Sequence, residues 1–200
     1  MTRTAAVTGA TGGIGSAVSA ALDAAGWDVV AVRRGEPVPQ VERLDALVHC
    51  AGIAPVASIE DGARELWTET LEANVIGPAE TTRSLLSALR AARGHVVFVN
   101  AAPGLRGVAK WSAYVGSKAA LRELADSLRE EETGNGIRVT SIYPGGVRTA
   151  LLRKVREGLG RPYDEAKTIS PETFASLVLS VLEFPEDAEI LEVSLRARMR

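Results

Sequence analysis

The chain has 200 residues, 46% of them hydrophobic and only 4% aromatic, enough for one substantial core built mainly from Val, Leu, Ile and Ala. Twenty-three Lys and Arg against 25 Asp and Glu leave a formal charge of −2, so nothing electrostatic points to nucleic acid or to an anionic membrane. One cysteine, Cys50, excludes an intrachain disulfide, and with only His49 and His95 beside it no metal site is expected.

No apolar run reaches the roughly 18 residues of a transmembrane helix, and glycines interrupt the start before a signal-peptide core could form. The expectation is therefore a cytoplasmic protein whose residues 1–200 form one domain. Ala5 to Val7 is a short apolar run ending at Thr8-Gly9, and Ile14 to Ala25 is an alanine-rich helical stretch closed by Gly26. Asp28 to Val32 follows as a second strand and runs into Arg33-Arg34-Gly35. Together these predict strand, tight turn, helix and parallel strand.

Gly35 to Arg43, with Pro37 and Pro39, can span roughly 30 Å if extended but cannot hold a full helical crossover and another strand. The third strand is expected over Leu44 to Cys50. A long helical stretch from about Ala63 to Ala91, broken or bent, leads to a fourth strand over Val96 to Val99. Ser112 to Glu132 reads as one helix, Ile137 to Ile142 as the fifth strand, Pro171 or Glu172 to Glu183 as the last helix, and Ile190 to Leu195 as the closing strand. Continuously apolar strands alternating with helices predict an α/β, doubly wound, Rossmann-like three-layer sandwich with a mostly parallel sheet. The short Gly35–Arg43 segment predicts six strands, with one usual edge strand-helix unit missing or reduced. The final Arg196-Ala197-Arg198-Met199-Arg200 reads as a solvated terminus.

Thr8-Gly9-Ala10-Thr11-Gly12-Gly13-Ile14-Gly15 lies where the first strand becomes the first helix. Gly9 suits a turn that a Cβ would hinder, Gly13 lets a diphosphate approach the backbone, and Gly15 allows close packing of the helix. The helix-start amides then face a negative ligand. In any other position such glycines would be an ordinary turn. At the end of the second strand, where an acid would meet the ribose hydroxyls of NAD, stand Arg33 and Arg34. Guanidinium groups match a phosphate, which favours NADP(H), with NAD(H) possible; a solvated arginine pair is the other reading.

Tyr114 and Lys118, four residues apart on the central helix, share one face. A neighbouring ammonium stabilises phenolate, so the pair predicts a lowered Tyr114 pKa and proton exchange with a carbonyl or alcohol. Taken alone, the pair also fits a packing tyrosine beside a surface lysine.

The order of motifs resembles the short-chain dehydrogenase/reductase family over almost the whole chain. The matching pieces are Thr8 to Gly15, Ala51-Gly52 after a strand, Asn74-Val75-Ile76-Gly77, Tyr114-Val115-Gly116-Ser117-Lys118, and Pro144-Gly145-Gly146-Val147-Arg148-Thr149. The resemblance implies that Tyr114 is the acid/base, that Lys118 binds the nicotinamide ribose and tunes Tyr114, and that Asn74 helps organise a proton-relay water. It also implies that Pro144, Gly145, Val147 and Thr149 lie near the nicotinamide carboxamide or diphosphate. Substrate would be bordered by Leu105, Trp111, Gly145 and a mobile segment near Leu151 to Lys167.

Three departures stand out. The family's Asn-Asn-Ala-Gly is His49-Cys50-Ala51-Gly52 here, its adenine-side Asp has no counterpart, and its catalytic serine, thirteen residues before Tyr114, is Ala101. Alanine cannot donate a hydrogen bond; Asn100 and Ser112 are the candidate substitutes. The expected partner is a small or hydrophobic carbonyl or alcohol, with hydride exchanged with NADP(H). The alternative is an NADP(H)-binding sensor or interaction protein with little or no turnover. The family's habit of pairing long helices implies a homodimer, or alternatively a homotetramer, through about Leu66 to Leu89 and Ser112 to Leu128.

Overall fold

The computed structural model describes residues 2–102 and 105–198. Its six strands are β1 (Thr4–Thr8), β2 (Asp28–Val32), β3 (Ala46–His49), β4 (His95–Val99), β5 (Arg138–Pro144) and β6 (Glu192–Leu195). They form one sheet in the order β2-β1-β3-β4-β5-β6, with every neighbouring pair parallel. The helices are α1 (Gly13–Ala24), α2 (Arg64–Leu71), α3 (Gly77–Ala92), α4 (Ser112–Glu132), α5 (Ala150–Gly158) and α6 (Pro171–Leu182).

Alternating residues of the inner strands feed two cores. Val18 and Leu22 of α1 and Phe174 and Val178 of α6 pack with Ala5, Val7, Val48 and Val97 on one face. Leu85 and Leu89 of α3 and Leu121 and Ala125 of α4 pack with Ala6, Leu47, Val96 and Phe98 on the other. This two-sided burial is why the central strands read as unbroken apolar runs. The result is the expected α/β doubly wound, Rossmann-like three-layer sandwich. Phe98 is fully buried, and its removal would cost about 3–5 kcal/mol.

The chain leaves β1 in one direction to β2, then returns across it to β3. The crevice beyond the carboxyl ends of β1 and β3 is therefore a topological switch point, where α/β sheets hold ligands. Between β2 and β3 the chain forms no helix; instead Val38 and Val41 fold against the α3–α4 core. Among the described residues nothing pairs beyond β2, leaving it an edge strand. The expected break in the long helical stretch is a π-helical turn, Glu72–Ile76, joining α2 to α3. Met199 and Arg200 of the basic terminus, and Pro103 and Gly104 after β4, lie outside the described residues.

Candidate active site

The glycine turn is built by close backbone approach. Gly9 has φ +66°, and a Cβ there would come within 2.8 Å of the Ala51 backbone. A Cβ on Gly15 would lie 2.1 Å from the Gly9 carbonyl oxygen, so this glycine serves the turn's own closure as well as helix packing. Gly13 is exposed, and the nearest atom to its missing Cβ is a Thr149 methyl at 2.7 Å. No side chain caps the start of α1, which leaves its first amides for a ligand. Thr8 ties β1 to β3 by accepting a hydrogen bond from the Ala51 amide at 3.2 Å.

Two connected regions of the crevice follow. One, of about 650 Å³, runs from Thr8 and Gly9 past Ala51 and Gly52 to Arg33 and Arg34. Arg33 is engaged by Glu36 at 3.5 Å, whereas Arg34 has no ion pair among the described residues. The other, a cavity of about 230 Å³, is lined by Ile14, Ala51, Gly52, Asn100, Ala101, Tyr114 and Lys118, with Pro144, Gly145, Val147 and Thr149 along its wall. Leu105 and Trp111 border it. Of the residues singled out from sequence, Gly13, Gly15, Asn74 and Ser112 are among those that line neither region.

Asn74 is instead fully buried beneath the cavity. The π turn carries it inward, where its oxygen accepts from the Ile53 amide and its nitrogen donates to the Ile53 carbonyl and to Ser117 Oγ, each at 2.9 Å. The side chain thus fixes the loop after β3 rather than facing the cavity. Ser117 completes the clamp by donating to the Tyr114 carbonyl at 2.7 Å. Sequence reasoning passed over Ser117 although it lies inside the Tyr114–Lys118 motif, three residues after Tyr114 and so on the same helical face.

The ring of Tyr114 stacks on Trp111, with centroids 4.4 Å apart. Lys118 Nζ donates to the Val99 carbonyl at 2.9 Å and lies 6.0 Å from the Tyr114 ring. Burial pushes the Tyr114 phenol up to about 12, which corrects the expectation of a lowered value. At that range Lys118 does not outweigh desolvation, and burial lowers its own pKa to about 8. Cys50, which lines the cavity, is likewise pushed up to about 12 by burial and stays a neutral thiol.

Asn100 is buried, with its side-chain oxygen accepting from the Ala101 amide at 2.9 Å and its Nδ2 buried without a partner among the described residues. Ser112, the other candidate donor, is exposed and does not line the cavity. The segment near Leu151 to Lys167, expected to border the substrate, is partly helical. Its first part is α5, capped by Thr149 Oγ1 accepting from the Leu152 amide at 3.2 Å, with Leu151, Leu152, Val155 and Leu159 turned to the cavity. Arg156 and Arg161 also reach that lining and were missed from sequence, where they read as ordinary surface charge.

A family model described as short chain dehydrogenase matches residues 36–160, well over half the chain. The protein belongs to the short chain dehydrogenase family. A model of the NAD dependent epimerase/dehydratase family also matches residues 5–52, the β1–α1–β2 unit and the path to β3. An uncharacterized short-chain type dehydrogenase/reductase of Sinorhizobium fredii is 31% identical, the match covering 92% of this chain and 87% of the relative. Dehydrogenase/reductase SDR family member 11 of Bos taurus is 28% identical over 97% of this chain and 95% of its own.

Solved structures agree in fold. A Burkholderia thailandensis oxidoreductase of the short chain dehydrogenase/reductase family has a TM-score of 0.84 at 24% identity, covering 98% of this chain and 92% of that one. A Thermococcus sibiricus alcohol dehydrogenase complexed with 5-hydroxy-NADP has 0.81 at 22%, covering 100% of both. Membership of this dehydrogenase family supports a generic NAD(P)-dependent oxidoreductase function and a nucleotide cofactor. No helix among the described residues is long and apolar enough to cross a membrane.

Proposed function

We propose that this dehydrogenase is an NADP(H)-dependent carbonyl reductase or alcohol dehydrogenase acting on a small or hydrophobic substrate. The observation that carries the reading is that Tyr114, Lys118 and Asn100 line one cavity, which shares Ala51, Gly52 and Ile53 with the glycine-turn cleft. The residues present fit the cofactor. The tight turn that Gly9 and Gly15 permit borders the cleft, the first amides of α1 have no side-chain cap among the described residues, and Lys118, a three-donor group, makes one hydrogen bond among them.

When bound, the dihydronicotinamide supplies the hydride to the carbonyl carbon. Tyr114 gives its phenolic proton to the carbonyl oxygen; a phenol held near pKa 12 remains protonated throughout the neutral range and is suited to this direction. Lys118 meets the nicotinamide ribose with its remaining donors, and its positive charge offsets the phenolate left behind. Asn100 supplies the donor to the developing oxyanion that Ala101 lacks, its oxygen being held by the Ala101 amide. Asn74 and Ser117 position Tyr114, Lys118 and the Ile53 loop. Pro144, Gly145, Val147 and Thr149 form the wall against the carboxamide and diphosphate, and Arg34 meets the 2'-phosphate. The methyl group of Ala101 in the cavity wall supports the second reading, a cofactor-binding sensor with little turnover.

Titration of the protein with NADPH and NADH at matched ionic strength, followed by assay of both against a panel of ketones and aldehydes, tests the proposal. Tight NADPH binding with carbonyl-dependent oxidation is expected; tight binding with no turnover across the panel selects the sensor. A homodimer through the α2–α3 and α4 faces, where Leu71 and Ile76 are exposed, is also proposed, with a homotetramer as the alternative. Sedimentation showing a monomer at micromolar concentration would exclude both.

A further inference from the structure

Two guanidinium groups stand at the cavity without an assigned role. The segment from Arg148 to Lys167 carries six cations and three acids. Glu165 engages Arg148 and Arg153, and Asp164 engages Lys167. Lys154, Arg156 and Arg161 are left without an ion pair among the described residues, and of these Arg156 and Arg161 line the cavity while Lys154 does not.

Their position separates them from the cofactor's phosphates. The amino end of α5 lies beside the glycine turn, with Thr149 against Gly13. At about 1.5 Å per residue, Arg156 sits roughly 9 Å further along the helix axis from Ala150. The carboxyl end of α5 is held down on the loop after β3, where the missing Cβ of Gly158 would come within 3.1 Å of Val56. The Arg161 amide donates to the Arg156 carbonyl at 2.8 Å, which folds the chain back so that both residues line the same cavity. Between this charged end and Tyr114 run Leu151, Leu152, Val155 and Leu159.

We infer that the substrate is amphipathic, an apolar chain bearing a terminal carboxylate, with the carboxylate held by Arg156 and Arg161 and the chain along the apolar face of α5. An apolar wall leading to unpaired guanidinium groups matches such a molecule, since Arg offers carboxylates a paired N–H fork. The inference rests on the reductase reading for where the reacting carbon sits; the anion site itself does not depend on turnover. A neutral ketone of the same length would fill the wall and leave the guanidiniums to water.

Calorimetric titration with decanoate and with 1-decanol, with and without saturating NADP⁺, tests it. Wild type should bind decanoate about tenfold tighter than the alcohol, as expected for charge-assisted hydrogen bonds. The preference should collapse toward one in the Arg156→Gln, Arg161→Gln double variant and persist in Lys154→Gln, the neighbouring cation outside the cavity. Raising the ionic strength should weaken decanoate and spare decanol in unmodified protein, a measurement that stands even if the double variant misfolds. Equal binding of the two probes by wild type, or a preference that survives the double substitution or vanishes equally in Lys154→Gln, overturns the inference. Assays with NADPH and ω-terminal oxo acids are scored separately. An Arg-dependent decanoate preference with no NADPH oxidation overturns the reductase reading alone, whereas oxidation with neutral ketones and no preference overturns the anion site alone.

Discussion

The two ends of the crevice are built by different means. At the Tyr114 end, cation, phenol, amide and thiol line one cavity over the middle of the sheet; the Lys118 ammonium donates to the Val99 carbonyl of β4, and the Asn100 side-chain oxygen accepts from the Ala101 amide just after it. At the Arg34 end the neighbour is β2, an edge strand left open because the chain from Gly35 to Arg43 supplies no further strand, and the arginines stand in solvent. Burial reshapes chemistry at the first end, lowering Lys118 to about 8 and raising Tyr114 to about 12. At the second, charge acts through water and is screened by salt. Chemistry is therefore expected to depend on the buried end, and cofactor discrimination on the open one.

The largest expected effect breaks the buried end alone. Tyr114→Phe should lower turnover at least about 100-fold, the lower range for a positioned proton donor, while NADPH affinity stays within about twofold. Unchanged turnover would remove Tyr114 from the chemistry.

Acid should expose the same contrast in stability. His49, stacked on Phe98 beneath the cavity, and His95 at the start of β4 are both held near pKa 3 by burial. The unfolded chain binds these protons from about pH 6.5 downward while the folded one does not, so stability is full above that pH and falls as pH drops toward 3. Each histidine should cost about 2 kcal/mol between pH 7 and 5, with the loss reduced in His49→Gln. Urea unfolding that is flat over that interval contradicts the burial of both rings.

Introducing a hydroxyl at position 101 sharpens the comparison further. Ala101→Ser should raise the carbonyl reduction rate about tenfold, below the full worth of an oxyanion donor because Asn100 shares the task. NADPH affinity should not change. A rate equal to wild type would assign the donor wholly to Asn100. At the open end the effect is of binding only: Arg34→Ala should weaken NADPH by up to about tenfold at low salt, less as salt rises, and leave NADH unaffected. Loss of both cofactors together would show that Arg34 supports the turn rather than the phosphate.

Legibility in the sequence follows the same division. The strands, the six-strand count and the limits of the Ser112–Glu132 helix were readable because apolar runs, glycines and the short Gly35–Arg43 connection are local signals. So were the residues of the turn. What escaped depends on contacts distant in sequence. The direction of the Tyr114 shift is set by packing against Trp111 and the cavity walls, not by Lys118 four residues away. The clamp of Asn74 on Ile53 and Ser117 follows from the π turn that rotates its side chain inward, a feature with no local signal in the sequence. Arg156 and Arg161 look like any surface charge until the fold brings α5 over the cavity.

The central claim is that the buried end carries out hydride transfer with proton delivery from Tyr114. Incubation with NADPH deuterated at the transferable C4 position and a panel of ketones and oxo acids, with product alcohols read by mass spectrometry, tests it most directly. The account predicts one deuterium on the carbinol carbon with wild type and far less product with Tyr114→Phe. Unlabelled substrate recovered from wild type that binds NADPH tightly, or equal label with Tyr114→Phe, would contradict it.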